Sequence, residues 1–325
     1  MFGLTGRRDA LALAACSAAS VSSPATATPA ILPIPALRLA DGGALPLPTF
    51  GVQIYNDDVA YECTTRALAT GFRSFFTSPE AGNQRGFARA IRNSGIPRDQ
   101  LFIAGSVLSD EATSYGNGEK LTQLACDASF EDLSSGGIDS LDLLMLERPA
   151  PSGCDAIRGQ WRALEKRRAA GMARSLGTCN FDIEQLDCLL RRGGRLGSAR
   201  VPSYAPVVNQ IGFNLATRMP HALLRQQHAE RGVALQAWGP LGGPSALIPR
   251  SILDQCEAIG KPRGETASQV VLRWLAQQGV AYVVHSRSTQ HLREDLAIFA
   301  PGTVPLSEEQ ILRLERDSER APDYY

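Results

Sequence analysis

The sequence predicts an α/β protein: a closed (β/α)8 TIM barrel with a short N-terminal β-hairpin and an extra C-terminal helix. Three observations predict it. After residue 35, short apolar runs alternate with amphipathic segments, and strand–helix alternation repeated about eight times means parallel strands joined by crossover helices. The chain has 325 residues and no Pro/Gly-rich linker dividing it, which suits one barrel of about 250 residues with additions better than an open sheet. Neither GxGxxG nor GxxxxGK[ST] occurs, so the phosphate-binding fingerprints of Rossmann and P-loop sheets are missing.

Residues 1–30 differ from the rest. Arg7 and Arg8 precede an apolar run from Ala10 to Ala15, and Ala25-Thr26-Ala27 follows a stretch of small residues. A basic start, a short apolar core and an A-x-A end are the parts of an export signal, and the Arg pair resembles a twin-arginine signal. A Ser/Ala-rich segment with Asp9 as its one acid also fits a transit peptide, and a solvated tail is the plain alternative. The expected division is therefore a leader over 1–30 and one barrel domain over 31–325. The destination is an exported or organelle-lumen one, chloroplast included, with the cytoplasm as the alternative.

The hairpin is expected at about 37–48. Strands are expected in the runs 72–77, 101–107, 141–146, 173–178, 206–211, 233–238 and 280–284. Between the last two, Ala267, Val270, Val271, Trp274 and Leu275 form one helical stripe over 266–278, since they repeat at three and four residues. Thr266 with Gln269 makes a capping box at its start, and Ser307 with Gln310 makes another before a helix over 308–318. Tyr115-Gly116-Asn117-Gly118 reads as a loop, and Gly193–Gly197 as a glycine-rich helix exit.

Composition excludes several roles. Lys+Arg and Asp+Glu are both 33, so no net field steers nucleic acid or an anionic membrane. No stretch of the chain reaches about 18 uninterrupted apolar residues, so the mature chain is expected not to be membrane-embedded. Seven cysteines in this length form no disulfide scaffold. None sits as CxxC and no His falls close to a Cys pair, so no metal site is expected. Oligomeric state is left open.

In such a barrel, chemistry belongs at the C-terminal strand ends. The residues closing the runs are Phe76–Ala81, Ser106, Glu147, Cys179-Asn180, Gln210, Trp238 and His285-Ser286. Several collinear segments carry a resemblance to a known family. LADGGALPLPTFGVQ (39–53), ARSLGTCNFDIEQL (173–186), VVNQIGFN (207–214), LQAWGPLGG (235–243) and SQVVLRWLAQQGVAYVVHSRSTQHLREDLAIF (268–299) appear in order. From about residue 37 to 320 the chain thereby resembles the aldo-keto reductases.

The resemblance implies an NADP(H)-binding barrel without a Rossmann unit, acting as an oxidoreductase on small carbonyl-like ligands. It assigns Asn180 and Gln210 to the nicotinamide carboxamide, with Cys179 at a position the family fills with Ser, and Trp238 to stacking on the ring. The adenosine 2′-phosphate corner becomes His285, Ser286, His291, Glu294 and Asp295. A neutral His replaces a firm cation there, so weak cofactor binding is expected. The family's proton relay of Asp, Tyr, Lys and His is replaced by Phe76, Ala81, Ser106 and Glu147. General acid catalysis needs a donor within hydrogen-bond reach, so ordinary carbonyl reduction is expected to be weak or absent. Glu147 is the odd replacement. A carboxyl in an apolar mouth tends to be protonated and could then serve as an acid. The plainer expectation is that it pairs with Arg148 or faces solvent.

Overall fold

The computed structural model describes residues 32–52, 55–190, 202–242 and 247–320. The leader and the glycine-rich stretch Gly193–Gly197 lie outside these residues. The chain opens with an antiparallel hairpin, β1 (Ala36–Arg38) and β2 (Ala44–Pro46), in register Leu37 opposite Leu45. Its turn places Gly42 at φ 86°, a left-handed conformation that a side chain would resist. Leu39, Leu45 and Leu47 are buried and join the apolar cluster inside the barrel. The hairpin therefore plugs the N-terminal end.

Eight parallel strands close the barrel in the order β10-β3-β4-β5-β6-β7-β8-β9. They are β3 (Pro48–Gly51), β4 (Ser74–Thr77), β5 (Phe102–Val107), β6 (Leu141–Leu146), β7 (Ala173–Cys179), β8 (Val208–Gly212), β9 (Ala234–Trp238) and β10 (Ala281–Val284). The expected runs all contain strands. The first barrel strand, β3, is the one that no run marked, because it has four residues and begins with Pro48.

Strand alternation divides the side chains into two layers. One face looks inward: Phe76, Ala104, Leu143, Met145, Cys179, Val208, Ala281 and Val283 pack together inside the barrel. The other face, with Phe50, Phe75, Ile103, Leu144, Leu176 and Leu235, packs under the helices. Those helices are α1 (Asp57–Thr70), α2 (Gln84–Ser94), α3 (Tyr115–Ser134), α4 (Cys154–Ala169), α5 (Ile183–Leu190), α6 (His221–Ala229), α7 (Arg250–Gly260), α8 (Ala267–Gln277), α9 (Thr289–Ala297) and α10 (Glu308–Glu319). Both expected capping boxes form, at the starts of α8 and α10. Helix α10 is the extra C-terminal one.

The segment Tyr115–Gly118 is the start of α3, not a loop. Ser114 caps it by accepting from the Asn117 N–H. The glycines are there for contact between helices. A Cβ on Gly118 would sit 2.7 Å from the Ala156 carbonyl oxygen, and one on Gly159 would sit 2.0 Å from the Tyr115 carbonyl oxygen. Helices α3 and α4 thus touch backbone to backbone. A disulfide joins Cys154, the first residue of α4, to Cys188 in α5, with Cα atoms 5.2 Å apart. It went unmarked in the sequence because its partners are 34 residues apart and belong to no spaced motif. Cys63, Cys126, Cys179 and Cys256 are free and buried.

Candidate functional site

The C-terminal strand ends bring most of the predicted residues together. Glu147 follows β6, and its N–H donates to the Val107 carbonyl of β5 at 2.9 Å. Its side chain points into the barrel mouth and is 4% exposed. The hydroxyl of Ser106, from β5, donates to Glu147 Oε2, and the hydroxyl of Ser78, just past β4, donates to the same oxygen at 3.1 Å. Burial raises the Glu147 pKa above the ordinary carboxylate value, and the two serine hydrogen bonds oppose that only in part. Desolvation of this kind disfavours the charged form of a carboxyl.

The expected exposure of Glu147 is therefore wrong, and Arg148 acts on it only as a nearby charge that lowers its pKa in part. Arg148 swings outward to the rim instead, 2.8 Å from Glu80 and 3.8 Å from Asp110. The strand period explains this: successive side chains leave opposite faces, so Glu147 turns inward and Arg148 outward. Ser78 lies inside the stretch Phe76–Ala81 that the sequence marks at a strand end, but nothing in the sequence assigned it this bond.

The two other positions that the resemblance aligns with the family's relay, 76 and 81, carry no hydrogen-bonding side chain. Phe76 is 1% exposed and belongs to the apolar cluster inside the barrel. Ala81 closes a single turn over Pro79–Ala81. Around them the mouth is tied by Asn83, whose amide donates to the Val52 carbonyl and, at 2.6 Å, to the Tyr55 carbonyl. Gln160 of α4 does the same for two other loops. It is fully buried, accepts from the Ala150 N–H and donates to the Ser109 carbonyl, each at 2.9 Å.

Opposite Glu147 lies a group of amides. Asn180 has φ 61°, the one described non-glycine residue in the left-handed region, where Asn is among the residues best tolerated. Its N–H donates to the Gln210 carbonyl at 2.8 Å. Its side-chain amide donates to the Glu147 carbonyl at 3.0 Å and accepts from the Trp238 indole N–H at 2.8 Å. Each side-chain amide group can still make one further bond. The Trp238 indole lies over Gly212, where a Cβ would come within 3.1 Å of the ring. Gln210 points inward and donates to Gln236 at 2.9 Å. Gln236 in turn donates to Thr49 at 3.4 Å.

Cys179 is fully buried, 3.8 Å from Met145 Sδ and 3.9 Å from Gln210 Oε1. Burial holds its thiol well above the ordinary value, so it is a neutral packing group and no nucleophile. The third corner lies where β10 passes into α9. His285 is exposed and meets Tyr55 edge-on, ring centres 6.2 Å apart. Its partly covered ring has a lowered pKa through desolvation. Ser286 lies 3.4 Å from His291 Nδ1 and accepts from the Ser288 N–H at 3.0 Å. Glu294 accepts from Gln290 at 2.8 Å. Asp295 is buried, and that burial pushes its carboxyl up to about 7.

A closed barrel of eight parallel strands with amides, an indole and a serine-rich turn around the mouth at its C-terminal strand ends is an α/β barrel with a polar cleft where such barrels carry their chemistry. Residues 49–318 match the aldo/keto reductase family. An aldo-keto reductase of Mycolicibacterium smegmatis is 31% identical over 266 residues, covering 82% of this chain and 86% of that one. Another, from Mycobacterium sp. (strain JLS), is 31% identical over 292 residues, covering 89% and 96%. The crystal structure of an aldo/keto reductase from Brucella melitensis superposes with a TM-score of 0.73 at 26% identity, over 87% of this chain and 99% of that one. The chain belongs to the aldo/keto reductase family.

Proposed function

We propose that this protein is an NADP(H)-binding member of the family in which ordinary carbonyl reduction is weak or absent. The observation that carries the proposal is the state of the relay positions. Phe76 is part of the apolar interior, Ala81 has no acidic group, and Ser106 spends its hydroxyl on Glu147. NADP(H), when bound, supplies or accepts the hydride. Asn180 and Gln210 suit its carboxamide, because Asn180, bonded to the Glu147 carbonyl and the Trp238 indole, and Gln210, bonded to Gln236, each keep hydrogen-bonding capacity. The indole of Trp238, seated over Gly212, offers a π-face for an aromatic ring.

Reducing a carbonyl builds alkoxide charge where the protein must supply a proton or a donor. Losing one such electrostatic stabiliser costs about 2.7–4 kcal/mol. Three of the four positions offer nothing in its place.

A second reading has one observation in its favour. Glu147 is buried, has a pKa raised by desolvation and sits beside Asn180, so it is placed to act as an acid toward a substrate that the usual relay does not serve. The test of both readings is titration of the chain with NADPH by fluorescence, followed by NADPH oxidation with a panel of aromatic aldehydes. Saturable binding with near-background turnover is expected. Robust turnover in the wild type would refute the first reading. Its loss in Glu147→Gln would establish the second.

The compartment reading joins this proposal. Disulfides persist in oxidising compartments, and the Cys154–Cys188 bond supports the export reading of the leader. Cleavage after Ala27 is expected in the native source and is checked by intact mass.

A further inference from the structure

We propose that His228, acting through Asn209, is a positioning residue for Asn180 at the mouth of the barrel. The inference rests on the cofactor reading above, which puts Asn180 and Gln210 on the nicotinamide carboxamide. Asn209 stands on β8 between Val208, which packs inside the barrel, and Gln210, which points inward. Strand alternation turns its side chain the other way, toward the helices. There its Nδ2 lies 3.0 Å from Nε2 of His228, near the end of α6. The same Nδ2 donates to the Phe181 carbonyl at 2.9 Å, and Asn209 Oδ1 accepts from the Thr178 hydroxyl of β7 at 2.9 Å.

Only one placement of protons satisfies this chain. The Phe181 carbonyl can only accept, so the amide nitrogen of Asn209 must face it. The second N–H of that nitrogen meets His228 Nε2, which therefore accepts. The ring proton sits on Nδ1, 2.8 Å from the Leu224 carbonyl that receives it. An imidazolium would set one N–H against another. Burial lowers the His228 pKa below its ordinary 6.5, with the Arg231 charge acting in the same sense and the Leu224 bond against. The ring at pH 7 is thus the neutral acceptor that the chain requires. Arg231 itself is paired to Asp187 at 2.9 Å.

What this chain of bonds holds is the turn at the cleft. Phe181 directly follows Asn180, whose φ of 61° belongs to a conformation that persists only where its surroundings impose it. On one side the Asn180 N–H is bonded to the Gln210 carbonyl. On the other the Phe181 carbonyl is bonded to Asn209. Asn209 and Gln210 are neighbours on β8, so one strand grips the turn twice, with a side chain and with its backbone. Thr178 and Asn209 are fully buried and His228 is 2% exposed, so removing the acceptor leaves a buried N–H unpaired. The amide then relaxes off the Phe181 carbonyl, and Asn180 loses the grip on its helix side.

The experiment measures two ligands on the full chain by calorimetry: NADPH, which carries the nicotinamide, and adenosine 2′,5′-bisphosphate, which lacks it. His228→Leu should lose roughly 10-fold in NADPH affinity, the equivalent of one misplaced hydrogen bond, and keep its bisphosphate affinity within about twofold. His228→Gln should restore most of the NADPH affinity, because its Oε1 offers an acceptor in place of Nε2. Thr178→Val should weaken NADPH in the same direction, since it strips the donor from Asn209 Oδ1, and should also spare the bisphosphate. Melting curves identify a variant that does not fold, and Thr178→Val decides the matter should the leucine variant be one. Equal losses for both ligands in the folded variants would reduce His228 to a general stabiliser and overturn the proposal. Unchanged NADPH affinity in His228→Leu, or a glutamine variant as weak as the leucine one, would overturn it while leaving the cofactor reading in place. A wild type that binds neither ligand would end the cofactor reading, and the proposal with it.

Discussion

Removing the Cys154–Cys188 bond should lower the melting temperature by several degrees without undoing the fold. The bond closes a loop with a sequence separation of 34. Constraining an unfolded loop of that length removes an entropy of about 13 cal/mol/K, or about 4 kcal/mol at 25 °C. Unfolding entropy of about 2.1 cal/mol/K per residue makes that a shift of about 6 °C for a barrel of this size. The bond ties α4 to α5, and Arg158 reinforces the same contact by donating to the Cys188 carbonyl at 2.9 Å, so the reduced protein should still hold the two helices together. The assay is thermal unfolding of the oxidised protein, the protein under reductant, and Cys154→Ser/Cys188→Ser. Thiol titration of the native fold should find the pair blocked. The four buried thiols should react only on unfolding, since burial raises Cys126 to about 11 and Cys256 to about 12. A reduced protein that melts at the temperature of the oxidised one would refute the reasoning, as would two freely reacting thiols at 154 and 188.

Three further outcomes are expected. The triple variant Phe76→Asp, Ala81→Tyr, Ser106→Lys should raise aldehyde reduction with NADPH by more than the single changes combined, because a proton relay works as a unit; additive effects would count against it. Asp295 has a folded pKa of about 7 against an ordinary 3.8, so its burial costs nothing when protonated at low pH. The cost grows as pH rises from about 4 to 7 and levels off above that, reaching up to about 4 kcal/mol. Asp295→Asn should therefore stabilise the protein at pH 8 and hardly at pH 4, which melting curves at the two pH values decide. Gly159→Ala should destabilise by about 3 kcal/mol, because its Cβ would overlap the Tyr115 carbonyl; chemical denaturation reads the change, and an unshifted midpoint would refute the close contact of α3 and α4.

Much of the architecture was readable from local rules. The stripe from Ala267 to Leu275 and the Thr266–Gln269 and Ser307–Gln310 boxes carry their own geometry, and both helices begin where those residues place them. Residues whose role depends on a distant partner were not readable. Tyr115–Gly118 looks like a loop until α4 brings Ala156 against it. Glu147 looks solvent-facing beside Arg148 until strand alternation turns it toward Ser78 and Ser106. Phe76, Ser106 and Glu147 were placed correctly at the barrel mouth because each could be read in register with flanking strand residues.

The apolar interior around Phe76 limits which charges the mouth can take in. Phe76 packs with Leu143, Met145 and Cys179 in the same cluster as the hairpin plug, so the floor of the mouth has become part of what stabilises the barrel. A lone Asp at 76 would bury a charge with no Lys to meet it, whereas a lone Lys at 106 would face the Glu147 carboxyl that Ser106 now bonds. The floor of the mouth should therefore accept a cation at 106 before it accepts an anion at 76.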